Sequence, residues 1–69
     1  MKLSARNQFK GKIVDVKKGV TTSHARIDIG HGVIVTSSIT NAAVEDLNLK
    51  AGDDVWAIIK TSNVMIGKE

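Results

Sequence analysis

The chain has 69 residues, no cysteine, no proline and a formal net charge of +3. One domain, residues 1–69, is all that length allows, and a chain this short buries only about 60% of its unfolded surface, so a lone monomer is marginal. Disulfides and thiolate sites are excluded, and His24 and His31 with no third ligand do not make a zinc site.

The stabilising device left over is association of subunits. The charge favours anionic partners without demanding nucleic acid. No apolar run reaches signal-peptide or transmembrane length. With the absence of cysteine, this reads as a soluble cytoplasmic protein with no membrane partner.

Ser4-Ala5-Arg6-Asn7-Gln8 packs a hydroxyl, a guanidinium and two amides into five residues. It reads either as a solvated tail or as a fan of hydrogen-bond donors beside rigid backbone, with Arg6 suited to oxyanions. Phe9 to Val16 follows as a strand, with Phe9, Gly11 and Ile13 on one face and Lys10, Lys12, Val14 and Val16 on the other. Lys17-Lys18-Gly19 breaks it. Thr21 to Ile29 alternates with period two, Ala25, Ile27 and Ile29 inward and His24, Arg26 and Asp28 outward. Gly30-His31-Gly32 is a tight turn, and Val33 to Ile39 returns as the other arm of a hairpin.

Thr40 is placed as a helix N-cap, and Ala42 to Leu47 as a short helix with Glu45 and Asp46 suited to its early turns. Lys50 to Asp54 turns the chain. Val55-Trp56-Ala57-Ile58-Ile59 is apolar on both faces and reads as a strand buried on both sides. Lys60-Thr61-Ser62-Asn63 interrupts it, and Val64-Met65-Ile66 is expected as a final strand. Three strands, a helix and two strands is the order of an all-β fold with one short helix, a five-stranded OB-type Greek-key barrel. Small SH3-like barrels lack a helix at that place.

Three polar clusters fall at strand ends: Ser4-Arg6-Asn7, Thr40, and Lys60-Thr61-Ser62. Each supplies hydroxyls or cations and none a carboxylate. Amides following Thr40 add donors. Singly, these are a tail, a cap and a loop; together they suit a dianion stripped of water. No Ser-His-Asp or paired-carboxylate arrangement points to an enzyme. His24 reads as a surface or interface residue, Trp56 and Met65 as packing.

Ser4-Ala5-Arg6-Asn7-Gln8-Phe9-Lys10-Gly11, then Val16-Lys17-Lys18-Gly19-Val20, resembles the opening of the molbindin, or molybdenum-pterin-binding, family. Ile39-Thr40 before Val44-Glu45-Asp46-Leu47, and Lys60 through Ile66, resemble its later motifs. The resemblance spans nearly the whole chain. It implies an OB-type domain that binds molybdate or tungstate between subunits of a hexamer, for intracellular storage or homeostasis of the anion and with no cofactor. It implies an oxyanion site of Ser4, Arg6, Thr40, Lys60 and Thr61. Relatives often have Ser where this chain has Ala43, so one hydroxyl is missing near the helix start. A second oxyanion site is implied around Asn7, Lys17, Gly19 and Val20. The rival function for such a barrel is binding of single-stranded nucleic acid, which needs exposed stacking aromatics. Phe9 and Trp56 are the only aromatics, and both sit in apolar contexts where burial is expected.

Overall fold

The computed structural model describes residues 1–69. Strand β1 spans Asn7–Lys18, β2 Thr22–Asp28, β3 Ile34–Thr40 and β4 Asp54–Ile59; helix α1 spans Asn41–Leu47, and a 3-10 turn covers Thr61–Asn63. The four strands form one antiparallel sheet in the order β3-β2-β1-β4. β1 is long because it serves two partners. Asn7 to Lys12 pair with β4, and Lys12 to Lys18 with β2. Each partner takes one half of β1, so the sheet curls about its centre.

The curl has a local cause. Ile13 pairs with Ile27 and Asp15 with Arg26, which leaves Val14 as a bulge. A bulged strand bends and its side-chain alternation slips by one. Val16 therefore changes sides: placed opposite Ile13 by strict alternation, it packs against the same core. Val14 stays outside at 40% exposure. The slip also turns Asp15 outward, where Arg26 grips it in a salt bridge.

The core is Ile13, Ala25, Ile27 and Ala57, flanked by Val16, Ile29, Val35 and Val55. Val44 from α1 is also buried. The clean alternation of β2 is as expected, with Ser23, Ala25 and Ile27 all inside. Gly30, His31 and Gly32 all have positive φ, so the β2–β3 turn is left-handed throughout. Thr40 caps α1, its Oγ1 accepting from the Ala43 N–H at 3.1 Å. The first turn of α1 carries no acidic residue. Glu45 comes later than expected and meets Lys18 at 3.5 Å.

Two further expectations are corrected. β4 is an edge strand, not one buried on both faces: Ala57 is inside, but Trp56 and Ile58 are 47% and 44% exposed. Val64-Met65-Ile66 pairs with nothing, so the fifth strand is missing from the sheet. A strand exists only with a ladder to join, and no ladder continues past the 3-10 turn at Thr61–Asn63. Met65 and Ile66 are left more than nine-tenths exposed.

Candidate oxyanion sites

The antiparallel pairing of β1 with β4 places Asn7 opposite Ile59. Whatever precedes β1 must then lie beside whatever follows β4. Ser4, Ala5 and Arg6 accordingly meet Lys60 and Thr61 around a cavity of about 190 Å³. Two side-chain bonds pin the approach: Asn7 Nδ2 donates to the Ile59 carbonyl at 3.1 Å, and Gln8 Nε2 to the Ala5 carbonyl at 2.9 Å. On the far wall the 3-10 turn is closed by the Asn63 N–H donating to the Lys60 carbonyl.

The charges around this cleft are uncommitted. All four ion pairs of the chain lie elsewhere: Lys12–Asp54, Lys18–Glu45, Arg26–Asp15 and Lys50–Asp53. The hydrogen bond from Arg26 holds the Asp15 carboxyl below its ordinary range, and that from Lys12 does the same for Asp54. Arg6 and Lys60 have no carboxylate at hand. Four of the five residues of the first implied site thus converge within one chain.

Thr40 does not line that cavity. It pairs with Thr22, next to the β1 terminus at Lys18, whereas Arg6 stands before the β1 origin at Asn7. The two lie at opposite ends of a twelve-residue strand. The Ala43 amide, moreover, is already taken by the Thr40 hydroxyl.

A second cationic cavity, of about 350 Å³, forms at that other end and is lined by Lys17, Lys18, Gly19, Thr22 and His24. Cross-strand register builds it, Lys17 standing opposite His24 and Lys18 opposite Ser23. Val20 sits on the adjoining loop at 96% exposure. Asn7 is not there; it belongs beside the first cavity. Thr22 and His24 are the residues that a reading of single segments misses. The β1–β2 hairpin register, counted outward from its turn, would have found them.

The aromatics are not buried as expected: Phe9 is 40% and Trp56 47% exposed. Phe9 pairs with Ala57 and Trp56 with Lys10, so the two rings occupy opposite faces of the β1–β4 ladder. They cannot share one stacking platform.

A curled antiparallel sheet with one short helix, and with carboxylate-free cavities at both ends of its central strand, defines a small β domain of the OB type with four strands in place of five. The chain belongs to the TOBE domain family, whose model matches residues 3–66. Its likeness within that family is to the molbindins. It is 48% identical over 69 residues, the full length of both chains, to the "Probable molybdenum-pterin-binding protein" of Haemophilus influenzae. It is 48% identical to "Molybdenum-pterin-binding protein 3" of Clostridium pasteurianum, over 96% of this chain and 97% of that one. The solved structure "MopII from Clostridium pasteurianum (apo2)" superposes with a TM-score of 0.91 at 43% identity, covering 97% of this chain and 100% of that one. A molybdate-binding protein from Sporomusa ovata gives 0.91 at 31% identity, covering 99% and 100%. The cytoplasmic molybdate-binding protein ModG gives 0.82 at 31% identity, covering 96% of this chain and 53% of that one.

Proposed function

We propose that the chain binds molybdate, and tungstate about equally, by binding alone and without catalysis. The observation that carries this is the meeting of Ser4, Arg6, Lys60 and Thr61 around a cavity with no carboxylate. Hydroxyls and unpaired cations replace the water of a dianion with charge-assisted bonds. The full-length relatives named for molybdenum-pterin binding, and the neighbours named for molybdate, agree with that chemistry. A pterin ranks below the free oxyanion, because both cavities are lined by cations and hydroxyls and neither offers a Phe, Tyr or Trp ring for a fused heterocycle to stack on.

Thr40 enters from a second copy. It cannot reach Arg6 and Lys60 within its own chain, so the site is completed between subunits of a homo-oligomer, a hexamer in our reading. The open face supports this. Trp56, Ile58, Val64, Met65 and Ile66 are all more than two-fifths exposed, and only six residues of the chain are buried. A second, weaker site is placed at Lys17, Gly19 and Val20, with Thr22 and His24 beside them and Asn7 left to the first. No helix is long and apolar enough to cross a membrane. Storage or buffering of the anion in the cytoplasm, where the ModG neighbour is described, is the role that binding of this kind supports.

Native mass spectrometry with and without molybdate reads subunit number and bound anion together. Arg6→Ala and Lys60→Ala should lose anion while keeping the oligomer. If both bind as the parent does, the first cavity is not the site.

A further inference from the structure

The loop between β1 and β2, residues 19–21, is held in place by one residue of another element. Asn41 opens α1. Its Nδ2 donates to the carbonyls of Gly19 at 3.1 Å and Val20 at 3.2 Å. Its main-chain N–H donates to the carbonyl of Thr21 at 2.9 Å. Its Oδ1 accepts from the Ser23 hydroxyl, and Ser23 is the one polar residue wholly shut from solvent. The orientation of the amide is therefore fixed. Turned over, it would satisfy Ser23 equally, but would set an oxygen against two carbonyl oxygens.

This anchoring decides which way the loop peptides face. In a trans peptide, the C=O of one residue and the N–H of the next point in opposite directions, and the chain contains no cis bond. Three carbonyls turned toward Asn41 thus turn the amides of Val20, Thr21 and Thr22 away from it. The Val20 and Thr21 amides donate to nothing in the chain. Successive outward amides make a concavity for an anion. The loop cannot relax outward at its base, because the Gly19 N–H donates to the Thr22 carbonyl at 2.8 Å. A Cβ on Gly19 would stand only 2.7 Å from that same oxygen.

We propose that Asn41 is the positioning residue of the second oxyanion site. It draws the negative ends of three peptides away from the cavity lined by Lys17, Lys18, Gly19, Thr22 and His24, and leaves to the ligand the amides of Val20 and Thr21, which stand on the loop between the lining residues Gly19 and Thr22. Asn41 never touches the anion. The inference rests on the second-site reading given above, and predicts that the two cavities separate in their response to one substitution.

The test is a titration of the 15N-labelled oligomer with sodium molybdate, following the amide signals of Val20 and Thr21 at one cavity and of Thr61 at the other. Asn41→Leu keeps the bulk and removes the side-chain donors. It should weaken the response of Val20 and Thr21 at least tenfold while that of Thr61 stays within about twofold. Asn41→Ser, a residue suited to a helix start but too short to reach both carbonyls, should do the same. It serves if the leucine variant fails to fold. A merely structural role for Asn41 would lower both responses together or neither. Equal titration of Val20 and Thr21 in parent and variants overturns the inference and leaves the second site standing, provided that Lys17→Ala with Lys18→Ala weakens them. Parent signals at Val20 and Thr21 that do not move, while Thr61 does, overturn the second site and this inference with it.

Discussion

A site shared between subunits has a signature that no single variant displays: two defective chains repair each other. Lys60→Ala removes a cation from the first cavity, and Thr40→Ala removes the hydroxyl proposed to come from a neighbour. Losing a hydrogen bond to a charged group costs about 1.5–3 kcal/mol, roughly tenfold to over a hundredfold in affinity. Each pure variant should therefore bind poorly at concentrations that saturate the parent. Thr40→Ala also loses its bond to Ala43, at about 1 kcal/mol of stability, so folding is checked first by circular dichroism. Co-expressed at equal levels, the two chains assemble at random. A site is whole when its Lys60 comes from a Thr40→Ala chain and its Thr40 from a Lys60→Ala chain, which gives roughly one site in four in a symmetric ring of heterologous contacts. Calorimetric titration with molybdate should recover about a quarter of the parent's tight sites. A mixture that binds no better than the pure variants would refute the argument from opposite ends of β1. Thr40 and Lys60 would then serve one site within a single chain, whereas a pure Thr40→Ala variant that binds as the parent does would make Thr40 only a helix cap.

Sedimentation at micromolar concentration should show an oligomer, since six buried residues make a small core; a folded monomer there contradicts this. Phosphate should bind more weakly than molybdate, because its remaining proton meets donors only, an unmatched contact worth about 1–3 kcal/mol; equal heats and affinities in one buffer would remove the donor-only picture. Asp15 and Asp54, lowered by their bonds to Arg26 and Lys12, lend stability that is present above the unfolded carboxylate range and fades as pH drops through their folded values. The melting temperature should therefore decline below about pH 4, and less steeply for Asp15→Asn with Asp54→Asn. An unchanged decline would show that these exposed pairs contribute nothing.

Where local chemistry dictates structure, the sequence is readable. Ala25 and Ile27 announce their face by alternation, Gly30-His31-Gly32 announces a tight turn, and Thr40 has the hydroxyl that a helix start requires. The donors of the first cavity are likewise visible as residue types. What eludes a reading by segments is relative placement. The Val14 bulge is set by fitting β1 to two partners at once, and no residue type in Lys12-Ile13-Val14-Asp15 marks it. Because of that slip Val16 turns inward. Thr40 looks like a companion of Arg6 until the register puts a whole strand between them. Trp56 reads as buried because its neighbours are apolar, yet an edge strand in a single chain has nothing to lay over it.

The pairing of β1 with β4 also orders events in time. Ile27 meets Val35 within one short hairpin, whereas the bond from Asn7 to Ile59 closes 52 residues of chain. Contacts between distant residues pay loop-closure entropy before they return any energy. The β2–β3 hairpin is thus expected to form early and the β1–β4 ladder late, and with it the first cavity. Opening should run in reverse, from the ends inward, and slower amide exchange in β4 than in β2 would contradict that order. An anion bound at the proposed site between Arg6 and Lys60 would act as a clasp on the last-made join, since a ligand that binds only the closed chain stabilises it by mass action. Without anion, the protein should fray first at the join of β1 with β4, so that anion-free protein should be cut soonest there by added protease.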